Sequence, residues 1–189
     1  MIKFYFSYEL NYAIITVCGL FVGGGVFLLQ VGDQVVYPMH GAGEIAGIEE
    51  CEIMGQVKAY FILQMPVGGI RIMIPTDNAD GIGLRQISPL ADIEQVAKVL
   101  QEAPEKPLGS WNKRFHNNLN RLKTGDILEV AAVIRNLILQ DKRKRISGGE
   151  KRLLDLAKQI FISELSFALS NTADYAEAWM MEKLDKNSL

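Results

Sequence analysis

A tryptophan followed closely by basic residues is the first feature of this chain that could do chemistry. Trp111 lies two residues before Lys113 and Arg114, and Ser110 ahead of it is a typical residue at the start of a helix. An exposed indole in such a place can stack on a base or enter a minor groove of DNA. Phe115 follows at helical spacing, so the alternative is that Trp111 only extends a buried apolar stripe.

A run of cations farther along the chain could neutralise phosphate groups, although an ordinary solvated loop is the alternative. The run covers residues 142–145, and two more cations follow one turn into the next predicted helix. No helix-turn-helix or zinc-finger spacing accompanies it, so we expect recognition of the DNA backbone and shape, with little base specificity. The predicted DNA-binding residues are Trp111, Lys113, Arg114, Arg121, Lys142, Arg143, Lys144, Arg145, Lys151 and Arg152.

The charge of the chain is divided unevenly along its length. Residues 106–158 contain 13 Lys and Arg against 5 Asp and Glu, a local charge of +8 in a chain whose formal net charge is -2. Residues 31–88 contain 3 basic and 7 acidic side chains, and such a surface repels phosphates. The asymmetry predicts a basic surface for DNA in the second half and a different partner for the first half.

The sequence combines no residues into a convincing catalytic or metal-binding set. The letters ISGGEKRLL are similar to the signature loop of ABC ATPases, but the chain has no phosphate-binding loop, and Ser147 and Glu150 have the spacing of a helix capping box. Thiols and imidazoles are too scattered for a disulfide framework or a zinc site, namely Cys18, Cys51, His40 and His116. We therefore predict a non-enzymatic protein of the reducing cytoplasm, with no catalytic residue, cofactor, metal or small-molecule substrate, and we expect His40 to be a locally bonded turn residue.

Helices must position the candidate DNA-binding residues. A helical period begins after Pro89, where an apolar stripe recurs through Ile93, Val96, Ala97 and Leu100. Further helices are predicted over residues 110–125, 126–140, 147–168 and 172–184. The helix over 126–140 is apolar around much of its circumference and should be the central one. Residues 89–189 thus predict an all-α bundle.

The first half of the chain predicts a small β-barrel over residues 30–88. Alternation through Val31, Val35 and Tyr37 predicts a half-buried strand, and Gly41 and Gly43 would supply the positive φ angles of a tight reversal. Three more strands are predicted over residues 43–53, 57–65 and 70–75. In the last of these, Ile70, Ile72 and Ile74 should face inward, and Arg71 and Met73 should face outward.

Residues 13–29 form an uncharged apolar run, AIITVCGLFVGGGVFLL, downstream of Lys3. A signal anchor or membrane helix is one interpretation, but the run is at the short end of spanning length and contains three consecutive glycines. We expect instead that residues 1–29 are a mistakenly assigned start, because codons for Gly23–Gly25 resemble a ribosome-binding site and Val26, Leu28 or Leu29 could be the start codon. Mass spectrometry of the native N-terminus tests this, and an intact Met1 peptide from cells would contradict it.

Four segments together resemble the CarD/CdnL family of bacterial transcription regulators: QVGDQVVYPMHGAG, IPTDNADGIGLR, SWNKRFHNNLNRLKTGD and RISGGEKRLLDLAKQI. They follow the family's order over about residues 30–184, and residues 1–29 lie outside the resemblance. The resemblance implies an α+β, multi-domain chain. Its parts would be the hydrophobic extension 1–29, a Tudor-like RNA polymerase-interacting domain over 30–88 and a helical DNA-binding domain over 89–189.

The resemblance also implies a function for each part. The first domain, also found in transcription-repair coupling factors, would bind the lobe of the RNA polymerase β subunit, and the second would meet promoter DNA. Trp111 matches the family tryptophan that enters the minor groove at the upstream edge of the melted promoter and helps to hold the bubble open. Lys113, Arg114 and residues 142–145 would hold the DNA backbone in register. The expected protein is a cytoplasmic, nucleoid-associated monomer.

The polymerase-binding residues depart from the family pattern. Arginines that contact polymerase in some actinobacterial relatives fall at Cys51 and Met73 here, and Arg71 is the nearest basic side chain. We expect Met73 to supply an apolar contact and Arg71 a charged one. Replacing both without weakening binding to the β lobe would refute this.

Two other functions are compatible with the residues alone. One is an architectural DNA-binding protein that acts without polymerase, and the other is a membrane-tethered interaction module that uses residues 13–29. Co-purification with polymerase, tight binding to bare duplex and detergent-dependent extraction would separate the three.

Overall fold

The structure, a computed structural model, describes residues 29–53, 55–66, 68–79, 81–105 and 109–185. The prediction of a mistaken start or an anchor falls on residues outside these ranges, apart from Leu29. The described residues form a five-stranded antiparallel sheet followed by five α-helices, so the predicted α+β class is confirmed. None of the helices within these ranges combines the length and the apolar character that a membrane span requires.

The sheet is open, so the small β-barrel predicted from the sequence is present as a sheet that does not close. Its strands are β1 (Gln34–Tyr37), β2 (Gly41–Ile53), β3 (Gln56–Gln64), β4 (Arg71–Pro75) and β5 (Arg85–Gln86), in the spatial order β4-β3-β2-β1-β5. Closure would need β4 and β5 to pair, but β5 has only two residues and pairs with β1. Side chains from the segment between these strands, Ala79, Ile82 and Leu84, pack against the core instead.

The first strand and its turn differ from the simple alternation predicted. Val31 lies in a turn before β1 and is 57% exposed, whereas Val35 and Val36 are both fully buried, so both faces of β1 are covered. His40 is a turn residue, as predicted, with its ring nitrogen Nδ1 3.2 Å from the carbonyl oxygen of Pro38.

Two glycines after this turn have different roles. Gly41 has φ +97°, which confirms the predicted left-handed conformation. Gly43 does not have a positive φ, so that prediction is wrong. A Cβ at Gly43 would lie 2.6 Å from the carbonyl oxygen of Gln64 and 2.7 Å from Sδ of Met65. Gly43 is therefore needed for the close approach of β2 to the end of β3.

One face of the sheet carries a small apolar core, which includes Val35, Ile45, Phe61, Leu63 and Ile74. In β4, Ile74 is buried, while Arg71 and Met73 are exposed as predicted. Ile70 lies before β4 and is 52% exposed, so its predicted inward orientation is wrong. It belongs to the turn between β3 and β4, where its carbonyl oxygen accepts from the backbone N–H of Met65 at 2.9 Å.

The helices form a bundle with its own core. They are α1 (Leu90–Gln101), α2 (Trp111–Lys123), α3 (Ile127–Arg143), α4 (Gly148–Ala168) and α5 (Ala173–Asp185). The predicted caps are present: the Ser110 side chain accepts from the N–H of Lys113, and Ser147 and Glu150 form a reciprocal capping box. Helix α3 is buried along most of its length and is the central helix, as predicted.

Helix α4 joins the bundle to the sheet. The Ser163 hydroxyl accepts from the backbone N–H of Ala42 at 2.8 Å. Glu164, only 1% exposed, accepts from both terminal nitrogens of Arg85 at 2.7 and 2.8 Å and from the N–H and hydroxyl of Ser88. Arg85 also donates to the carbonyl oxygen of Gly125, in the turn between α2 and α3. Sheet and bundle are thus connected through buried polar groups that satisfy one another.

Candidate functional site

Trp111, the first residue of α2, lies against the start of α4. Trp111 is 43% exposed, and its indole stacks on Phe115 with 5.6 Å between ring centroids and 27° between ring planes. A Cβ built on Gly149 would lie 3.2 Å from indole Cζ2, so the missing side chain at Gly149 makes room for the ring. The indole is therefore partly packed and partly open to solvent. This is intermediate between the exposed and the buried tryptophan that the sequence left as alternatives.

The indole N–H has a partner at the start of α4. Trp111 Nε1 donates to the Ser147 hydroxyl oxygen at 2.8 Å. The same hydroxyl donates to Glu150 Oε2 at 2.8 Å and accepts from the Glu150 N–H at 3.3 Å. The capping box of α4 and the indole of α2 therefore share one hydroxyl group.

Four of the predicted DNA-binding cations meet around one groove. Lys113 and Arg114 lie in the first turn of α2, and Arg143 and Lys144 lie at the end of α3. All four line an open groove of about 760 Å³ between these helices. Amides on both walls can donate and accept hydrogen bonds to phosphate and sugar oxygens or base edges, and they are Asn117, Asn118, Asn120, Asn136 and Gln140.

Several of these cations have no carboxylate partner in the part of the chain that the structure describes. Lys113, Arg143, Lys144 and Arg145 are exposed, and within the described ranges none of them forms an ion pair with a carboxylate. Lys151 and Arg152, one turn into α4, are exposed as well. Lys142 instead reaches Asp185 at 3.2 Å. Both side chains of that pair are about half exposed, so it contributes little and can open readily.

Arg114 is partly engaged in contacts within the protein, near the start of α4. Its Nη1 donates to the carbonyl oxygen of Gly109 at 3.1 Å, and its Nη2 lies 3.8 Å from Glu150 Oε1. Its buried Nε atom and the buried Glu150 Oε1 have no hydrogen-bond partner among the described residues. Arg114 therefore balances the charge of the buried Glu150 besides lining the groove.

Arg121 has a structural environment. It donates to both carboxylate oxygens of Glu105 at 3.1 Å and to Glu129. Burial alone would lower the pKa of Arg121, but the hydrogen bond to Glu129 and the charge of Glu105 outweigh this and raise the pKa above its ordinary value. Arg121 is thus tied to carboxylates on both sides, and its contact with DNA stays a prediction.

A buried arginine that sequence reasoning missed holds the segment ahead of Trp111. Arg135 is 2% exposed and donates to the Val99 carbonyl oxygen and Glu102 Oε2 at 2.9 Å, and to Glu105 Oε1 at 3.2 Å. The Glu105 N–H also donates to the Asn136 side chain at 3.0 Å. Residues 102–105 are therefore fixed to α3. The sequence does not reveal the partners of Arg135, because they lie 30 to 36 residues away along the chain.

The predicted polymerase-binding residues share the outer face of the sheet. Cys51 lies opposite Lys58, and Met73 lies opposite Ile62, so strand alternation puts Cys51, Met73 and Arg71 on the face away from the core residue Phe61. Met73 is 46% exposed. Arg71 pairs with Glu49 at 3.0 Å, and both side chains are more than half exposed. β4 is also an edge strand of the sheet.

Comparison with known proteins agrees with this two-part arrangement. Residues 29–88 match the CarD-like/TRCF RID domain, and residues 95–181 match the CarD C-terminal domain. The chain is also 35% identical to a protein of Bacillus subtilis (strain 168) with the printed name "Putative transcription factor YdeB". That similarity extends over 138 residues, which are 73% of this chain and 90% of the relative. By these similarities, the chain belongs to the CarD family of transcription regulators.

Proposed function

We propose that the protein binds the lobe of the RNA polymerase β subunit through its sheet and stabilises the promoter open complex through Trp111. The observation that carries the proposal is a half-open indole on the same corner of the bundle as four groove-lining cations. Transcription regulation is the general function indicated by the family. DNA contact by Trp111 is inferred from the chemistry of the corner itself.

The indole opposes closure of the promoter bubble by stacking. Separating two base pairs at the edge of a bubble loses stacking worth on the order of a few kcal/mol per step, and an aromatic wedge replaces part of it. Phe115 supports the indole from within α2, so the ring can be presented to DNA without first becoming ordered. Any base offers a π face, which agrees with the expectation of little base specificity.

The groove cations hold the DNA backbone beside the wedge. Three of them, Lys113, Arg143 and Lys144, have no carboxylate partner among the described residues, so phosphates can take that place. The groove amides add hydrogen bonds that do not depend on net charge. This part of the interface should weaken as salt concentration rises, because counterions compete for the phosphates.

The outer face and the free edge of the sheet suit a protein partner. An edge strand presents unpaired backbone N–H and C=O groups, to which a strand of another protein can add. Met73 beside that edge offers an apolar contact. The exposed pair between Arg71 and Glu49 can open at little cost, which frees Arg71 for a carboxylate of the partner.

Replacing Trp111 by Ala tests the proposal. Loss of the stacked indole should shorten the lifetime of the open complex by about tenfold, since a fraction of the stacking free energy is lost. The measurement is the decay of heparin-resistant complexes, with affinity for the isolated β lobe measured in parallel and expected to be unchanged.

Trp179→Phe on α5 is the matched control and should leave the lifetime as it is. An unchanged lifetime with Trp111→Ala would contradict the proposal. Tight binding to bare duplex, combined with no affinity for the β lobe, would favour the architectural alternative.

A further inference from the structure

We propose that Ser147 is a positioning residue for Trp111, whose hydroxyl group sets the orientation of the indole before DNA binds. The functional value of this orientation rests on the proposed function, whereas the hydrogen bond from Trp111 to Ser147 is independent of it. Trp111 is at the start of α2 and Ser147 precedes α4, so the contact joins two helices that are far apart in sequence.

The Ser147 hydroxyl has no freedom to turn away from the indole. A hydroxyl has one proton to donate and two lone pairs to accept with. In Ser147 the proton goes to Glu150 Oε2 at 2.8 Å, and the lone pairs face the Trp111 Nε1–H at 2.8 Å and the Glu150 N–H at 3.3 Å. Glu150 is itself only 2% exposed, and its Oε2 also accepts from the Ser147 N–H. The group that receives the indole N–H is therefore saturated and fixed.

Packing restrains the same ring at other points. Phe115 stacks on the indole, and the indole Cζ2 lies where a side chain on Gly149 would begin to crowd it. Ser147, Gly149 and Phe115 together form a seat for the indole, which we call the indole seat. The seat restrains the orientation of an indole that is 43% exposed.

The role of Ser147 toward the indole can be separated from its role as a helix cap. Gly is nearly as good as Ser at the first position before a helix but has no hydroxyl, whereas Thr retains the hydroxyl. Ser147→Gly should therefore release the indole with little loss of the cap, and Ser147→Thr should restore the bond. Asp126→Ala is the matched control, because it removes the cap of α3 and does not touch Trp111.

Hydrogen exchange of the indole N–H in protein labelled with ¹⁵N at tryptophan gives a direct measure. Exchange at Trp111 should accelerate about fivefold or more in Ser147→Gly, the factor expected from one lost hydrogen bond. Trp179 is an internal reference that should not change. Ser147→Thr and Asp126→Ala should both retain the slow exchange of Trp111. Equally slow exchange of Trp111 in Ser147→Gly would overturn the proposal.

The lifetime of the open complex then separates this proposal from the proposed function. Ser147→Gly should shorten it by part of the effect of Trp111→Ala, while affinity for the β lobe stays unchanged. A lifetime that falls with Trp111→Ala but not with Ser147→Gly would overturn the role of Ser147. Faster indole exchange in Ser147→Gly, with the lifetime unaffected even by Trp111→Ala, would support the seat and refute the proposed function.

Discussion

At the scale of single residues, the arginines of this chain fall into two groups that their sequence positions do not reveal. Arg85 and Arg135 have carboxylate partners that are close in space and distant along the chain. Arg143 and Arg145 are exposed and have no such partner among the described residues. The net charge counted over a sequence segment therefore overestimates the uncompensated positive charge that is available to a binding partner.

Met73→Glu tests the outer face of the sheet at this scale. The change adds a charge where we propose an apolar contact, so affinity for the isolated β lobe should fall by about tenfold or more. Titration by fluorescence anisotropy or calorimetry measures it. Tyr175→Glu, at a similarly exposed position on α5, is the control and should bind as the wild type does. Undiminished affinity of a Met73→Glu, Arg71→Ala double variant would exclude this face as the docking surface.

At the scale of elements, the pairing of β2 with both β1 and β3 depends on close backbone approach. β2 carries a register irregularity between Ile45 and Gly47, and Gly43 lies nearly in contact with the end of β3. These features let one long strand pair with both neighbours.

Gly43→Ala should destabilise the fold because its Cβ would meet the carbonyl oxygen of Gln64, a backbone atom that cannot move alone. We expect a loss of about 2 kcal/mol in the free energy of unfolding, in the range of overpacked sites. Gly47→Ala is the control, since no atom lies within 4 Å of its added Cβ, and it should stay within about 0.5 kcal/mol. Urea denaturation compares the two, and equal stabilities would show that the sheet relaxes around residue 43.

The sequence predicted most elements because their signals are local. The Ser110 cap, the capping box at Ser147 and the apolar period of α3 depend on neighbours within a few residues. The open edges of the sheet, the conformation of Gly43 and the partner of the Trp111 N–H were not predictable, because each depends on residues brought near by folding. The same limit holds in the candidate site, where the basic residues could be identified from the sequence but their ion-pair partners could not.

At the scale of the whole molecule, the hydrogen-bond network around Glu164 joins the sheet to the helices. The carboxylate accepts from Arg85 and from both polar groups of Ser88, next to the hydrogen bond between Ser163 and Ala42. Removing it would leave several donors without a partner.

Glu164→Ala should lower the free energy of unfolding by about 2 kcal/mol, a figure below that of fully buried pairs because Arg85 is 30% exposed. Hydrogen exchange by mass spectrometry should show faster exchange in β1 and β2 than in α3, as the sheet loses its support. Glu49→Ala, which breaks the exposed pair with Arg71, is the control and should change stability by less than about 0.5 kcal/mol. A Glu164→Ala protein as stable as the control would mean that apolar contacts alone join the two parts.

The start of helix α4 supplies Ser147 and Gly149 of the indole seat, and Ser163 and Glu164 of the same helix contact the sheet and the segment that follows it. Ser163 follows Ser147 by sixteen positions, which corresponds to about 24 Å of helix at ~1.5 Å per residue. On the proposed function, the length of α4 sets the distance between the polymerase-binding sheet and the indole that contacts the promoter. The number of helical turns in α4 then determines which base step receives the indole. Promoters are distinguished by the position of the upstream bubble edge and not by their base sequence.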